Sequence, residues 1–108
     1  RRAAGMASPE IRFGDLSLNT ARKELKQQGK VVELTSYEYN CLEYLVLNRD
    51  KVISKTEMTE HLYDQDFDRD SNVIEVFIGR LRKKIDPDNS VKPILTVRGQ
   101  GYRINADL

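Results

Sequence analysis

Between Ile11 and Leu34 the apolar residues fall two apart: Ile11 and Phe13, then Leu16 and Leu18, with Gly14-Asp15 between the pairs. Such alternation turns one side of an extended segment toward a core, and the Gly-Asp break predicts a tight hairpin. Leu25, then Val32 and Leu34, flank a second turn signal at Gln28-Gly29. The segment is predicted to be a small antiparallel sheet. At Thr35 the period changes. Thr35-Ser36-Tyr37-Glu38 fits a capping box, and Tyr39, Leu42, Leu45 and Val46 follow at helical spacing, giving a first helix to about Asn48. Val52-Ile53 reads as a short extended piece. Ser54 to Glu57 fits another capping box and opens a second helix through Tyr63, with Met58 and Leu62 facing inward. A polar stretch, Asp64 to Asp70, precedes a third helix from about Ser71 to Ile85. Asp86-Pro87-Asp88-Asn89 ends it, because proline disfavours helix at the residue before it. Ile94 to Val97, a Gly99-Gln100-Gly101 bend and Tyr102 to Ile104 close the chain as a hairpin. The expected order is sheet, three helices, hairpin: an α+β fold.

At 108 residues there is length for one small domain. Residues 1–10, with their small side chains and Pro9, read as a linker tail, and 11–108 as the domain. Charged residues make up 32% of the chain, and no apolar run nears the ~20 residues of a spanning helix, so a membrane role is not expected. A single cysteine, Cys41, cannot close an internal disulfide, which suits a reducing, cytoplasmic setting. The net charge of +1 does not announce a nucleic-acid binder, but its distribution is uneven. Asp64, Asp66, Asp68 and Asp70 crowd one stretch; Arg80, Arg82, Lys83 and Lys84 crowd another. A near-neutral total therefore conceals an acidic and a basic face.

On a wheel of about 100° per residue, Ile74, Ile78, Leu81 and Ile85 form one narrow stripe that must face the core. The opposite side carries Asn72, Val76, Gly79, Arg80 and Lys83, with Val73 at its edge. A merely solvated basic face is the plain reading of such a helix taken alone. Yet Val73 and Val76 would there leave apolar surface in water, whereas on DNA small apolar groups meet the thymine methyl, Asn bonds adenine and Arg forks onto guanine. The terminal hairpin shifts the balance. Arg98-Gly99-Gln100-Gly101 sets an arginine at the tip of a ribbon, suited to the negative potential of a minor groove. A short helix, a basic reading helix and a ribbon tipped with arginine together make a winged helix-turn-helix.

Leu34-Thr35-Ser36-Tyr37-Glu38-Tyr39, Ile53-Ser54-Lys55, Val76 to Ile85 and Thr96 to Arg103 resemble, respectively, the starts of the first two helices, the recognition helix and the wing of the OmpR/PhoB family of response regulators. The resemblance runs from about Ile11 to Ile104. It implies sequence-specific binding of duplex DNA by the output domain of a two-component response regulator controlling transcription. The helix at about 71–85 would enter the major groove and the wing, 98–101, the minor groove. Carried over by position, Arg80 would read guanine and Asn72, Val73 and Val76 would line base edges; Lys83, on the same face, is a further DNA-binding candidate. Arg82 would pair with phosphate; Lys55, Tyr63, Thr96 and Tyr102 would touch the backbone; Arg98 would enter the minor groove. Phe77 and Gly79 stand where some relatives carry polar groups, which leaves base preference there open. The loop of Asp64, Asp66, Phe67, Asp68, Arg69 and Asp70 resembles the surface that contacts RNA polymerase; a solvated loop is the plain alternative. The family's receiver domain, with its phosphorylatable aspartate, is not in this sequence. The resemblance assigns dimerisation mainly to that receiver, with output domains lying head to tail on direct-repeat half-sites of promoter DNA.

Other chemistry is weaker. Asp64, Asp66, Asp68, Asp70, Asn72 and Glu75 occupy the first, third, fifth, seventh, ninth and twelfth places of a calcium loop. Arg69 fills the sixth place, where the sharp bend calls for glycine, so no metal is expected to bind. Cys41 sits among apolar neighbours as a packing residue, and His61 is the only histidine, so no dyad or His-pair metal site has support. Gly99-Gln100-Gly101 lacks the next glycine and the helix of a nucleotide fingerprint. No enzyme and no cofactor are expected. A winged helix used only for protein contacts is the other alternative, against which Arg80 and Arg98 speak. Tyr63, Phe67 and Phe77 are the large apolar residues the stripes leave over.

Overall fold

The computed structural model describes residues 10–62 and 73–105. Four short strands, β1 (Glu10–Phe13), β2 (Leu16–Asn19), β3 (Glu24–Gln27) and β4 (Lys30–Val32), form an antiparallel sheet in sequential order. The register aligns Ile11 with Leu18, Leu18 with Leu25 and Leu25 with Val32, one apolar row across all four strands. Leu18 and Leu25 are fully buried, and Phe13 and Leu16 join them two residues along. The alternation seen in the sequence is therefore the inner face of this sheet.

The helix α1 (Ser36–Leu47) begins with both halves of its capping box: Glu38 N donates to Thr35 Oγ1 at 3.2 Å, and Thr35 N donates to Glu38 Oε1 at 3.0 Å. Tyr39, Cys41, Leu42, Leu45 and Val46 are its buried face. The helix α2 (Lys55–Leu62) starts differently from expectation. Glu57 N does donate to Ser54 Oγ at 3.0 Å. The Glu57 carboxylate, however, accepts from Tyr44 Oη at 2.6 Å and pairs with Lys51 at 3.3 Å. The second capping box is thus half made, because the Glu57 carboxylate is engaged by a phenol and an ammonium outside α2. Met58 is fully buried and Leu62 packs against the core from its margin.

The helix α3 (Val73–Ile85) buries Ile74, Ile78, Leu81 and Ile85 along the expected stripe. Phe77 joins them at 8% exposure, its ring stacked on Tyr37 with centroids 5.5 Å apart, so it is a core residue rather than leftover surface. Asp86 ends the helix chemically as well as by position. Its carboxylate accepts three backbone N–H groups, from Ser90 at 3.0 Å, Val91 at 3.1 Å and Lys92 at 2.9 Å. Burial pushes the Asp86 carboxyl upward, yet these amides outweigh it and hold the group below its ordinary value. The chain then forms the hairpin β5 (Ile94–Val97) and β6 (Gly101–Ile104). Strand β6 also pairs with the isolated residue Ile53: Ile53 N donates to Tyr102 O at 2.8 Å and Tyr102 N to Ile53 O at 2.9 Å. The short extended piece expected at Val52-Ile53 is what anchors the hairpin.

Candidate nucleic-acid interface

Three elements set the geometry: α3, the start of α2, and the β5–β6 wing. The C-terminal half of α3 is fixed from the sheet side. Gln27 Nε2 donates to the Ile85 carbonyl at 2.7 Å, satisfying an acceptor that a helix end leaves open. Lys84 Nζ donates to the Glu33 carbonyl at 2.9 Å and to Glu38 Oε1 at 2.6 Å, and Glu38 is 1% exposed. With its apolar stripe and its end both held, α3 presents Glu75, Val76, Arg80 and Lys83 to solvent. Val76 is 46% exposed, an apolar side chain that the fold does not need. Val73 opens the helix, and Asn72, expected beside it, lies outside the described residues, as do Tyr63 and the candidate polymerase contacts Asp64, Asp66, Phe67, Asp68, Arg69 and Asp70.

The wing turn closes with Gln100 N donating to Val97 O at 2.9 Å, and Gly99, its third residue, has φ of 74°. A side chain is strained at that angle, and glycine is not. Arg98 stands exposed beside it at the tip. Between wing and α2 lies an open groove of about 550 Å³, lined by Ser54, Lys55, Glu75, Thr96, Arg98 and Tyr102 among others. Lys55, Thr96, Arg98 and Tyr102, picked out separately along the chain, thus converge on one surface. Tyr102 is mostly buried, and its phenol is raised above its ordinary value, first by burial and then by the charge of Glu75.

One candidate contact, Arg82, has structural partners that sequence reasoning did not find. Arg82 donates through one terminal nitrogen to the Ile94 carbonyl at 2.9 Å and to Thr96 Oγ1 at 2.7 Å, and its guanidinium lies 5.9 Å from the centre of the Tyr102 ring. It braces the wing against α3. Arg80, one turn-face away, is exposed and faces outward. The two arginines should therefore behave differently without any ligand. Arg82→Ala is expected to lower stability by about 1.5–3 kcal/mol, the worth of hydrogen bonds from a charged donor, while Arg80→Ala shifts it by less than about 0.5 kcal/mol. Urea titrations of both variants check this; equal losses would remove the brace.

The remaining candidates resolve simply. Cys41 is fully buried, and burial pushes its thiol up to about 12, so it is an inert packing residue. His61 is exposed and stacks on Tyr44 with centroids 4.0 Å apart. Glu75, the twelfth place of the calcium pattern, is bonded to Lys55 at 2.8 Å, and the pattern's other places, Asp64 to Asn72, lie outside the described residues. Among the described residues no group of three acidic, histidine or cysteine side chains could hold a metal, and no helix is long and apolar enough to cross a membrane.

Comparison with known proteins places this geometry. Residues 29–104 match the family model described as transcriptional regulatory protein, C terminal. The chain is 46% identical over 102 residues to the two-component response regulator PhoP of Pseudomonas aeruginosa, covering 94% of this chain and 45% of that protein. It is 41% identical to the transcriptional regulatory protein PhoP of Escherichia coli K12, covering 94% of this chain and 46% of the relative. The chain thus spans under half the length of these curated relatives. Among solved structures, the DNA-binding domain of CpxR from E. coli superposes with a TM-score of 0.76 at 26% identity, over 90% of this chain and 96% of that one. The Klebsiella pneumoniae RstA DNA-binding domain in complex with RstA box superposes with a TM-score of 0.74 at 28% identity, over 88% and 95%.

Proposed function

We propose, from the premise that this chain belongs to the OmpR/PhoB-type family of transcriptional regulatory C-terminal domains, that its α3 reads a promoter through the major groove while its wing enters the adjacent minor groove. The chain is a DNA-binding domain of the response-regulator type. The observation that carries the proposed docking is the exposed face of Val76, Arg80 and Lys83 on a helix whose other side is locked in the core, next to a wing that ends in Arg98. In this reading Arg80 forks onto a guanine, and Asn72, Val73 and Val76 meet neighbouring base edges. Lys55, Tyr63, Arg82, Lys83, Thr96 and Tyr102 position the domain on phosphates, and Arg98 takes a narrow minor groove. The structure of RstA with its box supports a duplex-DNA ligand.

The unit is residues 11–108, with 1–10 as a linker tail to a receiver domain of the kind the family resemblance implies. That receiver supplies dimerisation, and joining two such modules raises the effective concentration of the second at a direct-repeat half-site without new DNA contacts. The 64–70 stretch is assigned to RNA polymerase, because a run of acidic residues suits a protein partner better than DNA. The domain acts in the cytoplasm and catalyses nothing.

Selection of bound duplexes from a random pool tests the reading and finds the site at once. Arg80→Ala is expected to relax base choice at one position of the selected half-site and to cost about 1–3 kcal/mol there. A uniform fractional loss over all sequence variants would make Arg80 a phosphate contact instead.

A further inference from the structure

A carboxylate on a surface built for a polyanion needs a reason. Glu75 lies on the exposed side of α3 and is the one acidic side chain among the described residues that line the groove between α2 and the wing. It is not idle. Lys55 Nζ donates to Glu75 Oε1 at 2.8 Å, joining the first residue of α2 to the first turn of α3. Both side chains are half exposed, at 51% and 50%, so a ligand can reach and divide them. The hydrogen bond to Glu75 and its charge also hold the Lys55 ammonium above its ordinary value, so the cation is present but neutralised by its neighbour.

We propose that Glu75 is a specificity-determining residue that acts by holding Lys55: the pair must open before Lys55 meets a DNA phosphate, and opening is compensated only when α3 sits in register. The inference rests on the DNA-binding reading above. On an arbitrary duplex, loosely approached, releasing Lys55 leaves a carboxylate facing phosphates, and the two charges repel. With α3 fully inserted, the same carboxylate faces amino donors on base edges while Lys55 takes a phosphate. Non-specific binding, which is nearly all phosphate attraction, is therefore weakened more than specific binding. Specificity arises here by penalising the wrong site rather than by strengthening the right one.

The test compares Kd for a duplex selected by the wild-type domain and for a scrambled duplex of equal length and composition, across a salt series. Wild type, E75Q, K55Q and the double variant are measured, with E75A as a second removal of the carboxylate. E75Q is expected to bind the scrambled duplex about fivefold more tightly, and the selected duplex less than about twofold more tightly. On the scrambled duplex the slope of log affinity against log salt steepens by about one, because Lys55 now displaces a counterion. In the K55Q background the same change has no comparable effect. Equal tightening on both duplexes that persists without Lys55 makes Glu75 a general repulsive charge and overturns the proposal. A loss confined to the selected duplex, or no change on either, overturns it too. If wild type fails to enrich any duplex, the DNA-binding reading falls first, before any variant is compared.

Discussion

Gly101→Ala is expected to unseat the wing and lower the stability of the domain by about 4 kcal/mol, the range reached when a side chain is forced where no space exists. Gly101 has φ of 146°, an angle L side chains rarely adopt. Space is the harder obstacle. A Cβ at this position would overlap the carbonyl oxygen of Ile53 and come within 2.7 Å of its carbonyl carbon and 2.8 Å of Ser54 Cα. All three atoms are backbone, and they cannot swing aside as the end of a long side chain can. Ile53 is itself fully buried and bonded through both backbone groups to Tyr102, so the pairing must give way. The consequence reaches function, since the wing's anchoring strand also positions Arg98 and the Tyr102 ring. Gly99→Ala, by contrast, meets nothing within 4 Å and is strained only by its φ of 74°, which costs roughly 1–2 kcal/mol. Urea denaturation of the two variants checks the pair; a loss below about 1 kcal/mol for Gly101→Ala would mean that the wing does not dock on Ile53.

Glu38→Ala is expected to cost about 3 kcal/mol at neutral pH, because it leaves Lys84 without its carboxylate partner and removes half of a capping box. The carboxylate is 1% exposed, whereas the Lys84 side chain is 36% exposed and partly hydrated, which places the loss at the lower end for a broken buried pair. Burial alone would raise the Glu38 carboxyl. The Lys84 ammonium, the Thr35 amide and the nearby Arg80 more than offset it, and the group lies below its ordinary value of 4.5. A lowered folded value means that the folded state favours the charged form. The contribution is therefore complete above the unfolded value and lost as pH falls through the folded one. Glu38→Gln should be less stable than wild type at pH 7, and the difference should shrink steadily below about pH 4.5. Chemical denaturation at a series of pH values reads this directly. A gap that stays constant into acid would show that the Glu38 charge contributes nothing and that only its shape matters.

Both effects concern residues that looked ordinary along the chain. Glu38 was legible as a cap, since the Thr35-to-Glu38 spacing carries the signal and the bonds are local. That it also ties α1 to α3 was not, because Lys84 lies 46 residues away and no periodicity links the two. Gly99 and Gly101 read alike along the chain, as the two glycines of a bend; the structure separates them, because of the two only Gly101 is pressed against another part of the backbone. Phe77 falls outside the narrow stripe of Ile74, Ile78, Leu81 and Ile85, yet the Tyr37 ring on α1 stacks against it and it is buried.

What the sequence determined by itself is what local physics encodes. Alternation in Ile11 to Leu34 made the sheet, the 3.6-residue stripe of Ile74, Ile78, Leu81 and Ile85 oriented α3, and the caps at Thr35 and Ser54 set helix starts. Those same periods pointed Val76, Arg80 and Lys83 outward and put Arg98 at a turn, so most of the candidate interface was visible before any fold. Tertiary structure alone decided which polar ends meet. Arg82 reaches Thr96, Lys55 reaches Glu75 and Gln27 reaches the Ile85 carbonyl because the packed core brings their elements within reach of one another. A hydrogen bond between the tips of two side chains constrains neither spacing nor composition, so it leaves no mark on the chain. It exists only once hydrophobic burial has fixed where every element lies.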